Sequence, residues 1–289
     1  MINVQQAAGS LLLAVLQRNG GGMHMSMLFF DVDGTIVCED GTIPKSTTEA
    51  IRALQKQGHR CIINTGRPLA DIYSPLSDIP WDGYICACGQ DIFWEGQHIF
   101  RQGFEPAVCE KIIEMAKKCR GGLYYESPNG VAIDNWFDIR NSEIDAAVQR
   151  FNGRGIPVRS LAQSPELRME KFCFFYDESS DEKAFLDFIR PYCTVIKRDP
   201  SFYELPPAGC SKASGIQFLC ELSHISPQDC YAFGDSQNDV AMLRYVGHPV
   251  VMQHAPEDVR QLAEWVAPSP QHDGIYLAVQ KFGLLSAQT

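Results

Sequence analysis

Met27-Leu28-Phe29-Phe30-Asp31-Val32-Asp33-Gly34-Thr35 is the stretch on which the fold turns. Four apolar residues in succession, cut off by Asp and Gly, fit a short strand buried on both faces of a parallel sheet better than a turn of helix. Asp31 then stands at the strand's carboxyl end, and Asp33, two residues on, points to the same side if the extended geometry continues. Gly34 permits a sharp exit. One carboxylate can attack while the other handles protons, although a plain hydrophilic turn after a strand would have the same composition. A calcium loop also begins Asp-x-Asp, but it needs its glycine at the sixth position, whereas Gly34 is at the fourth.

Working outward, Ser46 with Glu49 three residues later forms a capping-box pattern, and Ala50, Ile51 and Leu54 recur at helical spacing until Gly58. A strand over 60–64 follows and runs into Thr65-Gly66-Arg67-Pro68. Strand, helix, strand with polar residues at each strand exit is the pattern of a doubly wound parallel α/β sheet, where ligands bind beyond the carboxyl ends. The pattern returns after Pro206-Pro207, with a helix over 212–221, a strand over 230–233 ending in Gly234-Asp235, and a further short strand over 250–252. Between these halves lie a hairpin (91–94 and 98–101, around Glu95-Gly96-Gln97), helical stretches 105–119, 141–151 and 181–189, and strands 123–126, 131–133, 171–176, 193–197 and 202–205. That is an inserted α+β module. The expected division is a core of 23–88 with 206–289, an insert of 89–205, and a poorly ordered extension of 1–22 ahead of Met23, Met25 and Met27.

Composition narrows the function. Thirty-five acidic against 25 basic residues give a formal charge of −10, so the positive footprint of a nucleic-acid binder is missing. A phosphorylated or otherwise anionic substrate must be held by a few local cations or a metal, because the net field repels it. Eleven cysteines, an odd number without CxxC pairs, and with Cys61, Cys86, Cys173 and Cys230 in apolar runs, read as reduced small hydrophobes in a cytoplasmic protein. No apolar stretch approaches the ~20 residues that span a bilayer, and the run 11–16 is too short for a signal-peptide core. Nothing points to a protein partner.

Three further segments carry candidate chemistry. Thr65-Gly66-Arg67 would present a hydroxyl and backbone N–H groups on the same side of the sheet as Asp31, able to cradle a phosphoryl oxygen. Lys212 stands at a helix start, where a cation is electrostatically misplaced unless an anion sits beside it. Gly234-Asp235-Ser236-Gln237-Asn238-Asp239 supplies two carboxylates and an amide after an apolar strand, and Mg²⁺ needs only one or two carboxylates besides water. Each signal has an ordinary explanation alone. Together they fall, in order, at predicted strand exits or helix starts on one side of a sheet.

These four segments resemble the four motifs of the haloacid dehalogenase superfamily of phosphatases, and the insert between the second and third motifs resembles the large-cap, Cof-type branch. The resemblance extends over nearly all of 27–289 and implies a Rossmann-like core with an inserted cap. It implies a magnesium-dependent phosphatase acting on a small phosphorylated metabolite, with Asp31 as nucleophile and Asp33 as general acid/base. Thr65, Gly66, Arg67 and Lys212 would hold the phosphate. Asp31, the carbonyl of Asp33, and Asp235 would bind Mg²⁺, with Asn238 and Asp239 supporting them. A cap closing over the site would exclude water and select the substrate, and Lys171 matches a cap lysine of Cof-type relatives and is expected to reach it. Cys88-Gly89 and His254-Ala255 depart from Asn-Gly and Asn-Ala of the family pattern. A phosphomannomutase-like phosphotransferase and a ligand sensor on a retired fold are the alternatives.

Overall fold

The computed structural model describes residues 25–164 and 169–285; the extension expected over 1–22 lies outside them. The chain forms two compact units, one built from the residues up to Gly66, Ile72–Phe100 and the residues from Ser211 on, the other from Arg67–Asp71 and Arg101–Cys210.

The first unit is organised on an eight-stranded sheet. Its first strands are β1 (Met27–Phe30), β2 (Arg60–Asn64), β3 (Gly83–Cys86), β4 (Asp91–Trp94) and β5 (Gln97–Arg101). The second unit holds β6 (Gly122–Ser127), β7 (Gly130–Asp134), β8 (Lys171–Phe175), β9 (Ile196–Asp199) and β10 (Phe202–Leu205). Strands β11 (Tyr231–Gly234), β12 (His248–Met252) and β13 (Trp265–Ala267) complete the first sheet, in the order β13-β12-β11-β1-β2-β3-β4-β5. All neighbours from β13 to β3 are parallel.

The continuous apolar run of β1 is explained by burial on both faces. Leu28 and Phe30 join Ile51, Leu54, Ile275 and Val279 on one side, while Met27 and Phe29 join Ile216, Leu219, Met242 and Leu243 on the other. The helices Lys45–Lys56 and Gly274–Lys281 therefore cover one face, and Lys212–Ser223 and Val240–Tyr245 the other. From β1 the chain winds outward through β2 and β3, and returns on the opposite side as β11, β12 and β13. That reversal makes the carboxyl ends of β1 and β11 the switch point of a doubly wound α/β sheet. Register places Phe30 opposite both Ile63 and Phe233, so Asp31, the Asn64-Thr65 pair and the Gly234-Asp235 pair emerge at one level.

Two local expectations are corrected. The hairpin over 91–101 extends the core sheet: β4 runs antiparallel to β3, with Ile85 opposite Ile92, and Ile92 and Trp94 pack with Ile85 and Ile216. Its apolar face thus belongs to the first unit's core. The capping box over Ser46 and Glu49 does not form; Pro44 is the N-cap, and Ser46 Oγ donates instead to Asp273 Oδ1 at 2.5 Å, a partner 227 residues away that no local pattern reveals.

In the second unit the five strands make a sheet of order β7-β6-β8-β10-β9, with antiparallel neighbours. Leu123, Tyr125, Phe172, Phe174 and Leu205 face the helices Pro106–Lys118 and Glu182–Ile189. Tyr124, Cys173 and Phe175 face the helix Ser142–Gly153 through Ile144 and Phe151. The strand expected at 193–197 starts later, because the ladder to β10 begins at Ile196 opposite Glu204, while Cys193 forms an isolated bridge to Pro207. All eleven cysteines are free thiols, and all but Cys38 are buried. Among the described residues no helix is long and apolar enough to cross a membrane.

Candidate active site

Asp31 continues the ladder one residue past β1, its N–H donating to Phe233 O at 2.9 Å. The chain then turns sharply, as Val32 O accepts from Ile36 N at 3.0 Å and Val37 N at 2.9 Å. The carboxylate of Asp31 is buried, while Asp33 is exposed. Gly34 has φ +78°, and a Cβ there would lie 2.7 Å from Asp235 Oδ2 and 3.1 Å from His254 Nε2. The glycine serves the turn and also the close approach of Asp235 from β11.

Lys212 reaches this place from the first position of its helix. A true capping box holds that helix start: Ser211 Oγ accepts from Ser214 N at 3.1 Å, and Ser214 Oγ accepts from Ser211 N at 2.9 Å. The ammonium, fully buried, donates to Asp31 Oδ1 at 2.5 Å and Asp239 Oδ1 at 2.6 Å. Asp239 Oδ2 in turn accepts from the N–H groups of Asp235 and Ser236, each at 2.9 Å. One carboxylate thus fixes both the lysine and the loop carrying Asp235. Asn238 Oδ1 accepts from Ser236 Oγ at 3.0 Å, bracing the same loop.

Ligand oxygens of Asp31, Asp235 and Asp239 all lie within 4.8 Å of one another. Burial and then the nearby Asp239 push the Asp31 carboxyl well above the usual range, against the pull of Lys212. Burial pulls the Lys212 ammonium down, but Asp239 and Asp31 outweigh it and its pKa is raised. Three carboxylates against one buried lysine leave negative charge in excess. A hard divalent cation fits that donor set, because Mg²⁺ takes oxygen ligands and retains waters. His254 Nε2 lies 3.4 Å from Asp235 Oδ2 and its Nδ1 3.3 Å from Ser269 Oγ; its pKa is raised, first by the hydrogen bond to Asp235.

The remaining residues singled out by sequence divide between the units. Thr65 and Gly66 are in the first, where Thr65 N–H donates to Ile85 O at 2.8 Å and Thr65 O accepts from Cys88 N at 3.0 Å. Arg67 and Lys171 are in the second. Lys171, fully buried, stands between Glu126 Oε2 at 2.7 Å and Glu204 Oε1 at 3.1 Å. Sequence reading missed Asn64, whose Nδ2 donates to Lys212 O at 3.1 Å, and Thr35, whose Oγ1 donates to Asp235 Oδ1 at 3.3 Å. A polar residue ending the apolar run Cys61-Ile62-Ile63 was the available signal for Asn64, since a buried amide needs partners. His254 stood out only as a departure from a pattern.

Several known proteins are similar to this chain in sequence and fold. The protein YkrA of Bacillus subtilis (strain 168) is 27% identical over 267 residues, covering 91% of this chain and all of YkrA. The solved structure of the subclass IIB sugar phosphatase BT4131 superposes with a TM-score of 0.76 at 27% identity, over 90% of this chain and 99% of that one. BT1666 from Bacteroides thetaiotaomicron, at 23% identity, shares the fold with a TM-score of 0.77 over 92% of this chain and 99% of its own. The family described as haloacid dehalogenase-like hydrolase matches residues 28–279, and the chain belongs to it.

Proposed function

We propose that this protein is a magnesium-dependent phosphatase that removes the phosphoryl group from a small phosphorylated metabolite through an aspartyl-phosphate on Asp31. The observation that carries this reading is the buried Asp31 carboxylate, bound by Lys212 and beside Asp235 and Asp239 at the switch point of the sheet. Similarity to a sugar phosphatase supports a phosphate ester as substrate, with a sugar phosphate as the first class to test.

Asp31 and Asp235, with the carbonyl of Asp33, would hold Mg²⁺, and Asp239 and Asn238 would brace them. The ion, when bound, supplies positive charge that screens a carboxylate attacking a phosphate dianion. Lys212 does the same from the protein side, and its two carboxylate partners keep it charged and aimed. A carboxylate oxygen of Asp31 forms the new bond to phosphorus as the ester P–O bond breaks, and Asp33 gives its proton to the leaving alkoxide. Asp33 then takes a proton from the water that attacks phosphorus, returning Asp31 as carboxylate and releasing inorganic phosphate. The exposure of Asp33 suits a group that exchanges protons with leaving group and water. Thr65 and Gly66 receive the phosphoryl oxygens, while Arg67 and Lys171 belong to the unit assigned to substrate selection.

The test is phosphate release from a panel of phosphorylated metabolites. Wild type in Mg²⁺ is expected to hydrolyse at least one, EDTA to stop it, and Asp31→Asn to lower turnover by about a thousandfold or more. Turnover surviving Asp31→Asn rejects the mechanism.

A further inference from the structure

The chain leaves the first unit between Gly66 and Arg67 and re-enters it at Ile72, so a five-residue strap, Arg67–Asp71, packs within the second unit. Thr65, two residues before Arg67, is held through both its backbone groups by the core sheet. The strap is held by a carboxylate of the opposite sort of surroundings. Asp71 is 1% exposed and accepts from Arg150 Nε at 3.0 and 3.2 Å and from its Nη2 at 2.8 Å. Arg154 Nη1 donates to Asp71 Oδ1 at 3.1 Å, and Arg154 Nη2 to Ala70 O at 2.8 Å. Arg67 Nη1 closes the arrangement by donating to the carbonyl of Asp71 at 3.1 Å.

Arg150 and Arg154 are four residues apart at the carboxyl end of the helix Ser142–Gly153, with Arg154 its C-cap. Like charges at that spacing repel, and a buried carboxylate without partners costs several kcal/mol. Neither half is favourable alone, and each is satisfied by the other.

We propose that Asp71 is a positioning residue for Arg67: its carboxylate clamped by Arg150 and Arg154, it holds the arginine of the Thr65-Gly66-Arg67 motif through its main-chain carbonyl. The proposal rests on the phosphatase reading only in taking Arg67 as a substrate contact.

The test uses the full-length chain and Asp71→Asn, which preserves shape and removes the charge. Amide hydrogen exchange at Arg67 and 69–71 is expected to rise at least tenfold in the variant, with the strands β1, β2 and β6 unchanged. With p-nitrophenyl phosphate and Mg²⁺, KM should rise about tenfold while kcat moves less than threefold. In an Arg67→Ala background, Asp71→Asn should add nothing further to KM. Wild-type exchange over 67–71, or a KM increase that is undiminished without Arg67, overturns the proposal. If the wild type hydrolyses no ester, the phosphatase reading fails, and the exchange comparison still decides this one. Should Asp71→Asn not fold, Arg150→Lys keeps the charge but loses the bidentate fork and must shift exchange at 67–71 in the same direction; wild-type exchange there counts against it.

Discussion

Lys212 is the fully buried cation of this site, its ammonium held between Asp31 and Asp239. Lys212→Met would leave two buried carboxylates facing each other. Removing one partner of a buried ion pair typically costs ~3–5 kcal/mol, so the urea midpoint in EDTA should fall by that equivalent, and phosphate release should drop by about a hundredfold or more. A smaller loss in saturating Mg²⁺ is expected, since the ion supplies the missing charge. Gly34→Ala is the second residue-scale test. At φ +78° a side chain costs roughly 1–2 kcal/mol, and its Cβ would press on Asp235 Oδ2 at 2.7 Å. Stability should fall by about that amount, and the Mg²⁺ concentration giving half-maximal activity should rise severalfold.

At the scale of elements, the helix Lys212–Ser223 is aimed by its N-terminus. Ser211 and Ser214 exchange hydrogen bonds between side chain and backbone, and Lys212 is the first residue inside that box. Ser211→Ala should cost about 1 kcal/mol, the usual worth of an N-cap, read as a shift in urea midpoint. Because Lys212 is adjacent, kcat should fall as well, and Ser211→Asp, which retains an acceptor, should recover the stability. A second box, Ser236 with Asp239, performs the matching task for the loop that carries Asp235. Both boxes were unread in the sequence, where Ser46 and Glu49 offered the more regular pattern. The difference is tertiary: Asp273 competes for Ser46, while among the described residues Ser211 and Ser236 bond within their own turns.

At the scale of the whole molecule, one pH dependence arises in the inserted unit. Burial, offset in part by Lys171 and reinforced by Glu204, raises Glu126 from 4.5 to about 7, with Asp71 adding a smaller push. The folded state therefore holds that proton more tightly than the unfolded chain. Its stabilising contribution is complete below about pH 4.5 and is lost as pH rises through about 7, an effect of about 3 kcal/mol across the window. Urea midpoints at pH 5 and pH 8 should differ less in Glu126→Gln than in wild type. The apolar runs followed by polar exits determined the doubly wound sheet and marked its four candidate segments, because burial on both faces and a polar exit are written in adjacent residues. The same local reading placed Asp31, Asp33, Thr65, Lys212 and Asp235 on candidate strand exits and helix starts. Only the tertiary structure decided that the hairpin after Cys86 extends the core sheet, that Asn64, Thr35 and His254 border the site, and that Arg67 is held with the inserted unit. Each of those depends on a partner far away in sequence, such as Asp71 with Arg150 or Asn64 with Lys212, and such pairs leave no periodicity or spacing in the chain that makes them.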